Sequence, residues 1–479
     1  MNDYVERIRA AGFTQTIDGE PVAAAFEDVI DPATGEAFQR GPVASPEDID
    51  RAIAAARRAQ PAWAALSWDE REDYIGQLTA VMDDNAPYLA TLLTMEQGMT
   101  AAAALPAIVD AAASLRLLAS VRIPDAVLVD DATRLVTQRW SPLGVVAAIG
   151  PWNYPVGLGF QKVANALIGG NTVVLKPSEF TPLTTLEIGR LARDVLPAGV
   201  LNVIGGGRAV GAALVAHPGI DKVSFTGSTA TGVAIARQSS EFLRPVTLEL
   251  GGNDAAILLP DGSVPALVAA IVDTALANRG QFCAAIKRVY VPSALHDDVC
   301  EQLVHAATVI RIGSGLDTEV DMGPIQNRAQ FEKIRAFVDD ARTAGGRILC
   351  GGAPLDRAGY FYPPTVIAGL SDGARIIDEE QFGPIIPVVA YDDLDTVIAR
   401  INGGPYGLTG SIWTADLARG NEVAARLAVG TGWVNQHGAF DTALPFPQIK
   451  ASGMGVDYAD NGVRSAMRMQ VIHALKQVA

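Results

Sequence analysis

Gly144-Val145-Val146-Ala147-Ala148-Ile149-Gly150, followed at once by Pro151-Trp152-Asn153-Tyr154-Pro155, is the stretch on which the fold turns. A short, unbroken apolar run bounded by glycines is what a strand buried on both faces of a parallel sheet looks like. A proline-flanked turn then leads into a helical pattern. The same alternation continues downstream: strand 172–175, helix 183–195, strand 200–204, helix 211–216 and strand 222–225. Strands spaced by helices of this length imply βαβ units and a doubly wound parallel sheet.

Working outward from that run, the first forty residues read as an irregular strand-and-turn entry. Asp18-Gly19 is a hairpin signal, and Asp31-Pro32-Ala33-Thr34-Gly35-Glu36 is a turn cluster. Ser45 is placed as a helix N-cap with Pro46 at the first helical position. Helical periodicity then dominates to about Leu118. Residues 123–140 change character and read as two short strands around a turn. After Cys283 a second α/β region runs to about Thr431, with helices at 295–310 and 330–344 and strands near 348–350 and 386–391. A strand-like segment at 469–474 closes the chain. The expected fold class is therefore α/β, with two doubly wound Rossmann-like domains and a small β-strand element suited to oligomerisation.

Composition narrows the function classes. Among 479 residues, apolar types make 49% and charged types 19%, which fits a globular enzyme and not a disordered chain. The 53 acidic against 37 basic residues give a net charge of −16, which argues against nucleic acid or an anionic membrane as partner. Apolar runs such as 264–276, interrupted by Asp273, fall short of the ~20 residues a membrane span requires. No signal peptide is expected at the first residues, which lack a basic start and an apolar core. Cys283, Cys300 and Cys350 are far apart with no CxxC pair, so neither a disulfide scaffold nor a metal site is expected, and a reducing cytoplasm is.

Two stretches carry the chemistry. Gly280-Gln281-Phe282-Cys283-Ala284-Ala285 sets one cysteine in a small-residue segment, and Leu248-Glu249-Leu250-Gly251-Gly252 ends an apolar strand with a lone carboxylate. A thiolate is the most nucleophilic common side chain near neutral pH. A nearby Glu can then activate the water that cleaves the thioester. Each residue also has a plainer reading: a buried small hydrophobe for Cys283, and the exposed face of an alternating strand for Glu249. Leu175-Lys176-Pro177-Ser178-Glu179 sits at a strand end, where nucleotides bind parallel sheets, or is a solvated loop. Phe225-Thr226-Gly227-Ser228-Thr229 opens a helix whose first amides suit a phosphate, although the GxGxxG spacing is absent. Asn153, at another strand end, is either an oxyanion donor or a turn residue.

Taken together, these segments resemble the aldehyde dehydrogenase superfamily over nearly the whole chain. Pro151-Trp152-Asn153-Tyr154-Pro155, Lys176-Pro177-Ser178-Glu179, Phe225-Thr226-Gly227-Ser228-Thr229, Glu249-Leu250-Gly251-Gly252, Gly280-Gln281-Phe282-Cys283 and Glu379-Glu380-Gln381-Phe382-Gly383-Pro384 occur in that family's order and spacing. The resemblance implies NAD-dependent oxidation of an aldehyde to its acid through a thiohemiacetal and thioester on Cys283. Asn153 is the implied oxyanion donor and Glu249 the implied base, with Lys162 and Asp457 at positions of a proton relay. The usual Glu is here Asp457, one methylene shorter, and Lys162 also reads as an amine bonded to backbone carbonyls.

For the cofactor, the resemblance implies Ile149, Trp152, Lys176, Ser178, Glu179, Gly207, Phe225, Gly227, Ser228, Leu250, Gly251, Glu380 and Phe382. Glu179 would repel a 2′-phosphate, so NAD is expected over NADP. The implied substrate tunnel is Tyr154, Leu158, Gln161, Phe282, Ala284, Phe440 and Phe446, a lining that suits a neutral, medium-sized aliphatic or aromatic aldehyde. Where many members read Pro-Phe-Gly-Gly, this chain reads Pro445-Phe446-Pro447-Gln448. His437 is assigned a hydrogen-bonded structural role. Implied domains are an NAD-binding unit (1–122 and 142–249), a catalytic unit (250–432), an oligomerisation arm (123–141 and 460–479) and a bridging segment (433–459), in a homodimer or homotetramer. The alternatives are an acylating enzyme using coenzyme A or phosphate, against which Glu249 argues, and a non-catalytic protein on the same fold.

Overall fold

The computed structural model describes residues 2–22 and 25–476. Two parallel-centred sheets carry the architecture. In the first, five parallel strands run in the order Leu201–Val203, Thr172–Lys176, Val145–Ile149, Lys222–Thr226, Val246–Glu249. The antiparallel pair Gln15–Ile17 and Glu20–Val22 extends one edge, and Gly453–Met454 pairs antiparallel at the other. The order reverses between Val145–Ile149 and Lys222–Thr226, which opens a crevice at the strands' carboxyl ends. The second sheet has the order Arg347–Cys350, Thr365–Ala368, Ile385–Tyr391, Ile286–Pro292, Asp254–Leu258, Thr409–Trp413, Thr431–Val434. All of its pairs are parallel except the first.

The continuous apolar runs are explained by burial on both faces. Side chains alternate across a strand. Val146 and Ala148 pack into one hydrophobic cluster with the helices of residues 68–119, whereas Val145, Ala147 and Ile149 pack into another. Ala255 and Ile257 likewise part from Ala256 and Leu258 in the second sheet. Ser45 caps Pro46–Ala65 in a reciprocal capping box with Asp48. Asp18 and Gly19 both take positive φ, as the hairpin turn demands.

Two expectations need correction. The first forty residues are not only strand and turn, because a helix, Asn2–Ala10, precedes them. It buries Ile8 alone and otherwise rests on aromatic contacts such as Arg7 over the Tyr88 ring, so its apolar stripe is too thin to read locally. The boundary expected after residue 432 falls inside Thr431–Val434, which pairs with Thr409–Trp413 and belongs to the second sheet. One helix, Ala101–Ala119, has 19 residues and passes for a membrane span by length and composition alone, but it is a core helix. It carries Asp110 and Arg116, and Ala104, Ile108, Ala112 and Leu115 on its inner face are packed into the core.

The remaining strands form a separate antiparallel arm of Ala126–Asp130, Arg134–Pro142 and Met467–Leu475. Val127, Leu128, Val471 and Leu475 are exposed on it.

Candidate active site

Asn278, Arg279 and Gly280 all have positive φ, a left-handed turn immediately ahead of the cysteine loop. Two non-glycine residues in that region cost about 1–2 kcal/mol each, so the turn persists only where its surroundings over-determine it. The Asn278 amide donates to the carbonyl of Asn153 (2.9 Å), and Arg279 donates to the carbonyl (2.8 Å) and side chain (3.0 Å) of Gln97. Gln281 donates back to the Asn278 carbonyl at 3.0 Å. Gly280 cannot be replaced without displacement, because a β-carbon there would lie 2.1 Å from the Gly383 carbonyl oxygen. Lys287 holds the far side of the loop, donating to the carbonyls of Phe282 (2.8 Å) and Cys283, with Glu380 at 3.6 Å.

Cys283 is therefore presented on a rigid, pinned loop. Burial pushes its thiol up to about 12, and Glu249, Asp254 and Glu380 add to the rise while Lys287 opposes it. Asn153 is buried and donates one amide N–H to the Gln281 carbonyl at 3.0 Å. A primary amide has two such protons, so one remains to donate elsewhere.

Glu249 ends the strand Val246–Glu249 and is buried. Burial and the neighbouring Asp457 raise its carboxyl well above the usual range, while Lys162 and a hydrogen bond from Gln448 pull it down. Lys162 and Asp457 face each other at 3.7 Å, both side chains almost fully buried. That separation is too long for a hydrogen bond. Neither Lys162 Nζ nor Asp457 Oδ2 has a hydrogen-bond partner among the described residues. The reading of Lys162 as an amine tied to backbone carbonyls is thereby overturned.

A cleft of about 730 Å³ opens beside this group along the carboxyl ends of the first sheet. It is lined by Ile149, Trp152, Asn153, Lys176, Ser178, Glu179, Gly207, Phe225, Gly227, Ser228, Leu250, Gly251, Glu380 and Phe382. Every residue expected to touch the cofactor thus opens on one space. Glu380 reaches it from the second sheet's side, accepting from the Gly252 amide at 3.0 Å. A β-carbon at Gly251 would sit 2.4 Å from Glu380 Oε2, so any other residue there would push the carboxylate aside. Phe382 stacks edge-on to Trp152 with ring centroids 5.4 Å apart. Ser228 caps Thr229–Ser240, whose first turn leaves amides outside the helical ladder. Lys176 is buried, and its ammonium is tied to the carbonyls of Pro177 (2.7 Å) and Gly206 (2.6 Å). Arg208, Gln330 and Lys333 also line the cleft. Sequence reasoning missed them because none lies in a motif.

On the other side of Cys283 an aromatic series runs Tyr154–Phe282 (5.5 Å), Phe282–Phe440 (5.6 Å), Phe440–Phe446 (5.2 Å) and Phe446–Tyr458 (6.2 Å). Trp433 joins it against Phe440 at 5.6 Å. Trp433 and Tyr458 were not foreseen: the second-sheet strand Thr431–Val434 brings the first here, and the pairing of Val456–Asp457 with Phe446–Pro447 the second. Leu158 is half-buried on the helix Pro155–Ile168, while Gln161 on that helix is buried with neither amide atom partnered among the described residues. Ala284 needs correction as a tunnel residue. It exposes no surface and packs with Leu408 and Phe446. Its carbonyl is taken by His437 Nε2 at 3.0 Å, and Ser411 Oγ lies 2.9 Å from Nδ1. A carbonyl can only accept, so Nε2 carries the proton. Burial lowers the His437 pKa to about 3, which keeps the ring neutral.

The model of the aldehyde dehydrogenase family matches residues 21–472. The chain belongs to the aldehyde dehydrogenase family. It is 39% identical over 449 residues to the aldehyde dehydrogenase LUC3 of Fusarium sp, covering 93% of this chain and 95% of the relative. The NAD+ complex structure of an aldehyde dehydrogenase from Bacillus cereus superposes with a TM-score of 0.96 at 33% identity, covering 99% of this chain and 98% of that one. An NADP-dependent enzyme of E. coli superposes with a TM-score of 0.94 at 33% identity, covering 96% and 98%. This aldehyde dehydrogenase has the two-domain Rossmann-like fold of its family and is an oxidoreductase.

Proposed function

We propose that this aldehyde dehydrogenase oxidises a neutral, medium-sized aliphatic or aromatic aldehyde to its acid, with Cys283 as nucleophile and Glu249 as the base for hydrolysis. The observation that carries the reading is the position of the Cys283 loop between an aromatic-lined side and a dinucleotide-sized cleft, with a buried carboxylate at hand. The cleft volume falls in the range of cofactor sites.

The Cys283 thiol gives its proton to solvent water as sulfur bonds to the carbonyl carbon, and the carbonyl π electron pair moves to oxygen, which carries the negative charge. The free N–H of Asn153 and the Cys283 amide stabilise that oxyanion, a donor of this kind being worth ~2.7–4 kcal/mol. A dinucleotide held against Trp152, Glu380 and Phe382 would supply the acceptor for the hydride that leaves the former aldehyde carbon. Glu249 then takes a proton from water as it attacks the thioester; a carboxylate whose proton affinity has been raised by burial is the stronger base. Lys162 Nζ and Asp457 Oδ2 are buried with free hydrogen-bonding capacity, which suits a role in carrying the proton away from Glu249.

Tyr154, Leu158, Phe282, Phe440 and Phe446 supply an apolar wall for the aldehyde, with Gln161 the one polar member. Lys176, Ser178, Glu179 and Gly207 form the adenosine end of the cleft, and Glu179 favours NAD over NADP. The exposed apolar residues of the arm suit a homodimer or homotetramer, with the cytoplasm as compartment.

Rapid mixing with NAD and a panel of aldehydes tests the mechanism. Glu249→Gln is expected to release one burst of NADH and then stall, and Cys283→Ala to give neither burst nor turnover. Fast steady turnover by either variant would overturn the assignment.

A further inference from the structure

Gln448 stands where the Pro-Phe-Gly-Gly form of this loop carries a glycine, and it is 6% exposed. Its Nε2 donates to Glu249 Oε1 and, at 2.8 Å, to the carbonyl of Phe446. Both protons of one amide are therefore committed, one to a backbone anchor and the other to the carboxylate. The loop that presents this amide is itself clamped. Gly453 lies opposite Glu249 in the antiparallel pairing of Gly453–Met454 with Val246–Glu249. The Pro447 carbonyl oxygen lies 1.8 Å from where a β-carbon would stand at Gly430, so only glycine there lets the loop approach.

We propose that Gln448 is a positioning residue that holds the Glu249 carboxylate in the orientation from which it takes a proton from the attacking water. This rests on the reading of Glu249 as the base. A glycine at this position has no side-chain donor, and the carboxylate is then free to turn about its side-chain bonds.

The groups facing Glu249 come from several elements. Asp457 and Tyr458 lie on the C-terminal segment, Lys162 on the helix Pro155–Ile168, and Cys283 on the nucleophile loop. Lys222, on the adjacent strand, acts on Asp457 and Lys162. Among these, the Gln448 amide favours the ionised carboxylate. Its loss raises the carboxyl pKa, so a larger fraction is protonated and idle at a given pH. The acid limb of the rate profile then moves to higher pH.

The test follows two variants, Gln448→Met, which keeps the bulk, and Gln448→Gly, which removes it. Two readouts separate the steps: the NADH burst, and decay of the acyl group on Cys283 in a single turnover across pH. Both variants are expected to keep the burst, to slow acyl decay about tenfold, and to move its acid limb up by about one unit. Unchanged decay and limb in either variant would overturn the inference, as would a lost burst with an unmoved limb, which marks a packing role. Glu249→Gln is run alongside. If it turns over freely, the base assignment itself falls. If it stalls while the Gln448 variants behave as wild type, only the role of Gln448 falls.

Discussion

Replacing Glu179 by glutamine tests how the cleft distinguishes NAD from NADP. The carboxylate faces the cleft across from Gly207, with Oε1 3.5 Å from the place of a β-carbon there. Its nearest cation, Lys176, is 4.0 Å away, but that ammonium already serves two backbone carbonyls. A 2′-phosphate within about 5 Å of the carboxylate meets repulsion of about 1–3 kcal/mol per unit of phosphate charge, depending on local polarity. The Glu179 side chain is 37% exposed. Solvent and salt therefore reduce the net penalty to about 2 kcal/mol, roughly thirtyfold in binding. Glutamine removes the repulsion, while the NAD ribose loses a charge-assisted hydrogen bond worth about 1 kcal/mol. The ratio of kcat/KM for NADP over NAD is expected to rise about a hundredfold, with kcat for NAD nearly unchanged because Glu179 touches no reacting atom. Initial rates with each dinucleotide give the ratio directly. A ratio within about threefold of wild type would refute the electrostatic reasoning. Arg208, exposed on the same cleft, supplies the cation a phosphate needs, so adding Arg208→Ala should take back most of the NADP gain.

Gly280→Ala is expected to cost about 3 kcal/mol or more, from a β-carbon 2.1 Å from the Gly383 carbonyl oxygen and a φ of 71°. Denaturant unfolding and turnover read it together, and wild-type values in both would exclude a pinned loop. Burial raises the Asp254 carboxyl from 3.8 to about 7. The unfolded chain ionises first, so between about pH 4 and 7 the native state binds more protons and stability falls as pH rises. Asp254→Asn removes that slope: its stability relative to wild type should improve from pH 5 to 8, and a flat difference would count against the shift. Lys162→Met should raise the Glu249 carboxyl further by removing the charge that lowers it, moving the acid limb of steady turnover upward. An unmoved limb would detach Lys162 from the base.

Much of the site was legible because its signals are local. Glu249-Leu250-Gly251-Gly252 and Phe225-Thr226-Gly227-Ser228 lie at strand ends, where periodicity breaks and glycine or a capping serine marks the turn. Ala284 was misread for the opposite reason. Adjacency to Cys283 says nothing about which way a residue faces, and the His437 hydrogen bond turns its carbonyl into the packed interior. The helix Asn2–Ala10 escaped because one buried residue cannot make a periodic stripe.

By itself, the sequence determined most of the order of strands and helices, the glycine-bounded turns and the local settings of Cys283 and Glu249. All of these follow from side-chain period and backbone freedom within a few residues. Only the tertiary structure decided what surrounds them. Gln448 meets Glu249 across 199 positions because the C-terminal segment returns to pair with the first sheet, whereas Trp433 joins the aromatic series from the second sheet and Tyr458 from beside the Val456–Asp457 pairing. Such contacts depend on where two distant backbones cross, and no local pattern encodes that crossing.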